Sequence, residues 1–247
     1  ESGALRGRPN ATNESEKKRW TDLGEKTAEM LGLTAETIDE IRTIPYEKLA
    51  KAACEAGNAL GMPPGMMLFE PSPTENIYTG LYNVAGFREE TAEIPVIAGT
   101  VFGEFSFMHY LGDKTKYSEE EKERILRETY GDDTDRVKEI FPTVYPGKDI
   151  LYALSVDAMF RPMTVEFVRT RAAFTDAPVY NYQMSLVVPY MGGLAVWHCG
   201  EIPFVFRNVE MEYMHSVGVE YKDELQDHMS NAWLQFMRTG EPSTESL

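Results

Sequence analysis

Two segments of this chain carry the pattern of a β-strand, and a long helical stretch separates them. Residues 93–98 form a short continuous apolar run before Gly99, and residues 178–186 are rich in β-branched and aromatic side chains. Continuous apolar strands are typical of a parallel sheet that is covered on both faces. The pattern therefore predicts an α/β fold with helical crossover connections. A doubly wound sheet usually has about five or six strands, so we expect the remaining strands to come from sequence outside this chain.

Helical periodicity accounts for most of the remaining sequence. It predicts helices over residues 14–32, 34–42, 45–58, 118–130 and 222–239, and one long helix over residues 149–174 that bends at Pro162. The helix at 118–130 is predicted to begin with a capping box formed by Ser118 and Glu121. Residues 61–74 are rich in glycine and proline and predict a loop. Since no flexible linker divides the chain, we expect residues 1–247 to belong to a single domain.

Composition and charge exclude several classes of partner. The chain has 40 acidic and 24 basic residues, a formal charge of -16, which repels phosphate backbones and anionic lipids. We therefore expect no nucleic acid as a partner. No apolar run reaches the ~18 residues of a membrane-spanning helix, so no membrane span is expected. Cys54 and Cys199 can form at most one bridge and are interpreted as free thiols. The sequence leaves the cellular compartment open.

The histidines give no pattern of a metal site. His109, His215 and His228 lack the spacing of metal ligands, and a site made from His198, Cys199 and Glu201 would crowd three ligands onto one tight turn. We expect neither a bound metal nor a cofactor.

Glu104 and His198 are the strongest candidates for catalytic residues. Each lies in a glycine-bearing segment that follows a predicted strand, and α/β proteins keep their active sites at the carboxyl ends of strands. A buried carboxylate can hold an imidazole in one tautomer and stabilise the imidazolium that forms when it takes a proton from a nucleophile. A glutamate and a histidine so far apart in sequence are by themselves weak evidence for a catalytic pair. The residues around each of them provide the stronger evidence.

Those surrounding residues form recognisable motifs. Glu104 ends a Gly-x-x-x-x-Glu turn that begins at Gly99, and His198 precedes the tail Gly-Glu-Ile-Pro-Phe-Val-Phe at residues 200–206. Residues 1–4, the Asp-x-x-Phe motif at residues 157–160 and the final helix through residue 242 agree with the same pattern. Together they resemble the type B carboxylesterase family of α/β-hydrolases, which includes para-nitrobenzyl esterases and cholinesterases, and the similarity covers nearly the whole chain.

The resemblance implies a C-terminal half of an α/β-hydrolase in which Glu104 orients His198. It also implies hydrolysis of uncharged or apolar carboxylic esters without a cofactor. Two residues depart from the family pattern, because Gly103 stands where Asp or Asn is usual and Phe105 stands where Gly is usual.

The nucleophile is the largest departure from the family pattern. α/β-Hydrolases carry the serine in a Gly-x-Ser-x-Gly elbow before the acid and the histidine, and this chain has no such motif. The nearest match, at residues 216–218, is interpreted as an ordinary turn, and Gly192 and Gly193 as turn glycines of the histidine loop. We therefore expect the serine and the oxyanion loop on an upstream segment or a separate chain, which becomes the expected partner beside a small ester substrate.

Other interpretations remain open from sequence alone. The chain could be a non-catalytic, esterase-like binding or adhesion module, or a fragment without either activity, although retention of Glu104 and His198 in their motifs favours the enzyme. Methionine-rich sequence at residues 62–68 fits either an adaptable acyl pocket or plain packing.

Overall fold

A pair of helices forms the first part of the protein. The computed structural model describes residues 13–62, 79–80, 82–109 and 111–244, and they group into two units that divide between Gly86 and Phe87. In the first unit α1 (Asn13–Leu31) packs against α2 (Tyr46–Ala59), and α3 (Tyr82–Ala85) is a single turn. Small residues on α2 permit close approach of the two helices, since Ala52, Ala53, Ala56 and Gly57 are buried.

The predicted helices of this unit are confirmed with one exception. The helices predicted over residues 14–32 and 45–58 are present as α1 and α2, and Gly32 follows the end of α1 with a positive φ of 72°. The third prediction, an α-helix over residues 34–42, is wrong. Ile38–Thr43 is instead a 3-10 helix without a buried residue, so no packed face stabilises a longer α-helix there.

Two parallel strands lie at the centre of the second unit. β1 (Val96–Val101) pairs with β2 (Val179–Met184), with Val96 opposite Val179 and Val101 opposite Met184. Within the described residues, strands are therefore present at both predicted places and pair in parallel as expected, although β1 lies three residues later than predicted. A short antiparallel pair, β3 (Val187–Val188) and β4 (Leu194–Ala195), follows β2.

Gly99 does not end the first strand as the sequence predicted. It lies inside β1 opposite Tyr182, whose ring covers it, and a Cβ atom at Gly99 would lie 2.2 Å from Cδ1 of that ring. The glycine is required by this close approach to an aromatic ring and does not mark a turn.

Helices make up most of the remainder of the second unit. They are α4 (Glu119–Tyr130), α5 (Thr134–Val144), α6 (Phe160–Phe174), the short α7 (Ile202–Val205) and α8 (Tyr213–Ser216), and the final α9 (Lys222–Thr239). Of these, α6 packs against both β1 and β2. The predicted capping box at Ser118 is present, and Gly240 ends α9 in the left-handed conformation. None of the helices in the described ranges combines the length and apolar character needed to cross a membrane.

The predicted long helix over residues 149–174 is wrong. A 3-10 helix, Ile150–Ser155, is separated from α6 by a non-helical segment that contains Asp157. Pro162 does not bend a continuous helix, because it lies in the first turn of α6. An amide N–H there has no partner within the helix, so its absence costs nothing.

One hydrophobic core joins the strand ends to the loops beyond them. Its fully buried members include Val101, Phe102, Val188, Val196 and Phe204, which lie at the end of β1, in the segments after β2 and β4, and in α7. The turn after β1 and the loop after β4 therefore leave the same packed core, which fixes their relative positions.

Candidate active site

Glu104 lies in the turn that follows β1. Hydrogen bonds continue beyond the strand, since the N–H of Phe102 donates to the carbonyl of Met184 at 2.8 Å and that of Gly103 to Val196 at 3.1 Å. The Glu104 side chain has no exposed surface, and its Oε1 accepts a hydrogen bond from the N–H of Val101 at 3.1 Å. The carboxylate thus turns back onto the end of its own strand, where a backbone donor offsets part of the cost of burial.

His198 meets Glu104 through both backbone and side chain. The chain leaves β4 with the N–H of Val196 donating to Leu186 at 2.9 Å, and the N–H of His198 then donates to the carbonyl of Glu104 at 2.8 Å. The imidazole Nδ1 lies 2.7 Å from Oε2 of Glu104. The structure therefore brings together the two residues that the sequence singled out, which are 94 positions apart.

This contact determines the chemistry available to the imidazole. A carboxylate on Nδ1 favours the neutral tautomer that carries its proton there, which leaves a lone pair on Nε2. The His198 side chain is 38% exposed, and Nε2 has no hydrogen-bond partner in the part of the chain that the structure describes. The arrangement can accept a proton at Nε2 while the buried carboxylate stabilises the resulting cation.

Two phenylalanine rings stack beside His198. The ring centroid of Phe160 lies 5.5 Å from that of the imidazole at an interplanar angle of 11°, and that of Phe105 lies 5.9 Å away at 18°. The two phenylalanine centroids are 5.8 Å apart. Sequence reasoning singled out Phe105 only as a departure from a family pattern and Phe160 only as part of a motif, and it assigned a function to neither.

Asp157 fixes the position of Phe160. Its carboxylate, which is buried, accepts hydrogen bonds from the N–H groups of Met159, Phe160 and Arg161 at 2.9, 3.1 and 2.6 Å. Its own N–H donates to the carbonyl of Phe102 at 3.0 Å. The start of α6 is therefore attached to the turn that carries Glu104.

Glycines permit the tight backbone around the pair. A Cβ at Gly103 would lie 2.8 Å from the carbonyl oxygen of Ser155, and one at Gly200 would lie 2.7 Å from that of Trp197. Between His198 and Gly200, Cys199 has a φ of 65°, which non-glycine residues rarely adopt. Gly103, a departure from the resembled pattern, is thus required by its surroundings in this chain.

Three polar residues that the sequence did not indicate hold the loop that leads to His198. Lys114 Nζ and the Tyr152 hydroxyl both donate to the carbonyl of Gly193, at 2.9 and 3.1 Å, and the Ser106 hydroxyl donates to that of Ala195 at 2.7 Å. Burial lowers the pKa of Lys114. Because each partner is distant in sequence, no local pattern could have identified these residues.

The other candidate groups have structural surroundings or lie outside the description. The Ser216 hydroxyl is buried and donates to the carbonyl of Val209 at 3.2 Å, and Gly192 and Gly193 have positive φ, as expected of turn glycines. Residues 63–68 and the side chains of His109 and His215 lie outside the described residues. Among the side chains that are described, no group of three His, Cys, Asp or Glu residues is arranged to hold a metal ion.

Comparison with known proteins gives one consistent result. Residues 2–247 match the Carboxylesterase family. The chain is 23% identical over 222 residues to para-nitrobenzyl esterase of Bacillus subtilis (strain 168), covering 89% of this chain and 44% of that protein. It therefore spans about half the length of such relatives.

Solved structures agree with this family assignment. An esterase from Clostridium hathewayi, described as able to hydrolyse aliphatic aromatic polyesters, superimposes with a TM-score of 0.79 at 32% identity, covering 92% of this chain and 45% of that one. A thermophilic PNB esterase has a TM-score of 0.58 at 23% identity, covering 94% of this chain and 47% of its own, and supports the fold alone. The expected α/β-hydrolase fold is confirmed, and the chain belongs to the Carboxylesterase family.

Proposed function

We propose that this chain supplies the acid and the general base of a serine carboxylic-ester hydrolase. The observation that carries the proposal is the 2.7 Å contact between Oε2 of the buried Glu104 and Nδ1 of the half-exposed His198. It lies beside the carboxyl end of β1, one strand of the parallel pair, and the loop after β4 brings His198 to this place. The carboxyl ends of parallel strands are the usual place for an α/β active site. Membership of the Carboxylesterase family supports the same chemistry.

In the proposed mechanism, Nε2 of His198 removes the proton from a serine hydroxyl as its oxygen attacks the ester carbonyl. The imidazolium, stabilised by Glu104, then gives that proton to the departing alcohol and leaves an acyl-enzyme. A water molecule repeats the sequence on the acyl group, which releases the acid and restores the serine. Glu104 stays ionised throughout.

The serine and the oxyanion donors belong, in this proposal, to a segment or chain outside these 247 residues. This chain is then the C-terminal portion of a single α/β-hydrolase domain, and its substrates are small uncharged or apolar esters. The names of its relatives make para-nitrobenzyl esters a suitable first substrate.

The first prediction concerns His198→Ala in the protein joined to its serine-bearing part. Turnover of a para-nitrobenzyl ester and labelling of the serine by a fluorophosphonate probe, read by intact mass, should both be lost because no base remains to activate the nucleophile. His228→Ala, on α9, is the matched control and should keep both. Circular dichroism verifies that each variant folds.

Two results would contradict the proposal. The first is undiminished turnover in His198→Ala, which would remove His198 from the mechanism. The second is the absence of any labelled serine in the polypeptides that accompany this 28.0 kDa chain, which would favour a non-catalytic binding or adhesion module.

A further inference from the structure

Phe105, Phe160 and His198 form a triangle of rings. The three centroid separations are nearly equal, at 5.8, 5.9 and 5.5 Å, and the interplanar angles are 29°, 18° and 11°. A simple stacked column would put its outer rings much farther apart. Each ring is instead offset from the other two with its plane nearly parallel, which is a favourable arrangement for aromatic pairs.

The imidazole needs a second restraint beyond its hydrogen bond. Rotation of a histidine ring about the Cβ–Cγ bond has broad preferences, and a hydrogen bond tolerates a range of angles. Coupled rotation about χ1 and χ2 can therefore tilt the ring while Nδ1 stays within hydrogen-bond distance of Glu104. The two phenylalanine rings restrain that plane. Together, the hydrogen bond and the rings determine the direction in which Nε2 points.

Both phenylalanine rings are attached to the structure that holds the acid. Phe105 directly follows Glu104, and Phe160 begins α6, whose first N–H groups are bound by Asp157. Asp157 in turn donates its N–H to Phe102, two positions before Glu104. Hydrogen bonds therefore connect the segment that carries Glu104 and Phe105 to the start of α6 that carries Phe160.

We propose that Phe105 and Phe160 are positioning residues that hold the plane of the His198 imidazole and so aim Nε2 at the serine. This inference rests on the proposed function. Filling of the core does not explain the two rings, since both are only partly buried. A leucine at either position would fill similar space but has no flat face to restrain a neighbouring ring. Phenylalanine-to-leucine variants therefore test whether the aromatic rings themselves hold the imidazole.

The structural test uses the protein joined to its serine-bearing part, with ¹⁵N-labelled histidine. Long-range ¹H–¹⁵N spectra, with His198→Ala for assignment, should show one narrow set of His198 signals from the Nδ1–H tautomer. Phe105→Leu and Phe160→Leu should broaden these signals or mix the two tautomers, whereas Phe105→Tyr and Phe160→Tyr should keep the native pattern. Phe167→Leu is the matched control, because Phe167 lies on the same helix but packs against Phe87.

The kinetic test uses the protein joined to its serine-bearing part. Each leucine variant should lower kcat by about 10-fold, less than the loss for a catalytic group misplaced by a full ångström, with KM nearly unchanged, and the tyrosine variants should restore kcat. The inference would be overturned if Phe160→Leu kept the native His198 signals, or if the control Phe167→Leu broadened them equally. It would also be overturned if the leucine variants at Phe105 and Phe160 changed only KM and left kcat at its native value. Absence of ester turnover in the unmutated protein contradicts only the proposed function, because the His198 spectra still decide the geometry.

Discussion

Glu104 is held between two donors at the residue scale. Its Oε1 faces the N–H of Val101, and its Oε2 faces Nδ1 of His198. A carboxylate accepts at both oxygens, whereas an amide of the same size accepts at one and donates at the other. Either orientation of a glutamine at this position would set its N–H against a donor.

Glu104→Gln therefore tests which tautomer catalysis needs. To relieve the clash, His198 would move its proton from Nδ1 to Nε2, which could then no longer accept one from the serine. We expect kcat in the complete esterase to fall by about 10⁴-fold, the loss known when an acid-to-amide change forces the wrong tautomer. Steady-state hydrolysis of a para-nitrobenzyl ester measures it, and a loss of only a few-fold would show that Glu104 does not control the imidazole.

At the scale of elements, the start of α6 and the end of β1 are one connected unit. The carboxylate of Asp157 binds three N–H groups of α6, and its N–H binds the carbonyl of Phe102 just after β1. The first N–H groups of a helix have no partner within the helix, so such an acceptor stabilises both the helix and its attachment to the strand.

Asp157→Ala should lower the free energy of unfolding by about 0.5–2 kcal/mol, the usual range for loss of a helix cap, with a value near the upper end because three bonds are lost. Urea denaturation measures this change in the free energy of unfolding. Asp133→Ala is the matched control, since Asp133 precedes α5 without a capping hydrogen bond from its side chain, and it should change stability by less than about 0.5 kcal/mol. Equal losses in the two variants would contradict the role of Asp157.

On the scale of the whole molecule, a buried lysine links stability to pH. Lys114 is buried with its Nζ on the carbonyl of Gly193 and over the ring of Tyr152. Burial lowers its pKa, and the charges of Asp149 and Asp113 offset part of that shift. Between the lowered pKa and the ordinary one, the unfolded chain binds more protons than the folded protein. This residue therefore makes the free energy of unfolding rise with pH in that window.

Burial raises the pKa of Tyr130 and Tyr152, so these two residues make the free energy of unfolding fall as pH rises in the alkaline range. The effect of Lys114 is therefore measured as the difference between the unmutated protein and Lys114→Met. The stability of the unmutated protein relative to Lys114→Met should increase as pH rises through the alkaline range towards the ordinary lysine pKa of about 10.4. Urea denaturation at several pH values measures it. For the control Lys116→Met, at an exposed neighbouring position, the difference in free energy of unfolding from the unmutated protein should not change with pH. The same constant difference for Lys114→Met would contradict the inference about its burial.

The sequence by itself determined the elements whose signals are local. Helix ends at Gly32, Ser118 and Gly240 follow from capping chemistry. The first strand follows from an apolar run and the second from its β-branched and aromatic side chains, and each of these signals depends on neighbouring residues. Motif resemblance also identified Glu104 and His198 as candidates. Local patterns gave wrong predictions where contacts in the folded protein determine the structure. Gly99 lies inside β1 although it was predicted to end the strand, and the predicted long helix is interrupted before α6.

Tertiary structure alone decided how the site is assembled. The 2.7 Å contact of Glu104 with His198, the ring triangle with Phe105 and Phe160, and the bonds of Lys114 and Tyr152 to Gly193 all join residues that are distant in sequence or lie on different elements. No period or spacing encodes such contacts. They form only when strand pairing and a shared core bring the loops together, because the interior packs at a density that leaves each side chain few alternative positions.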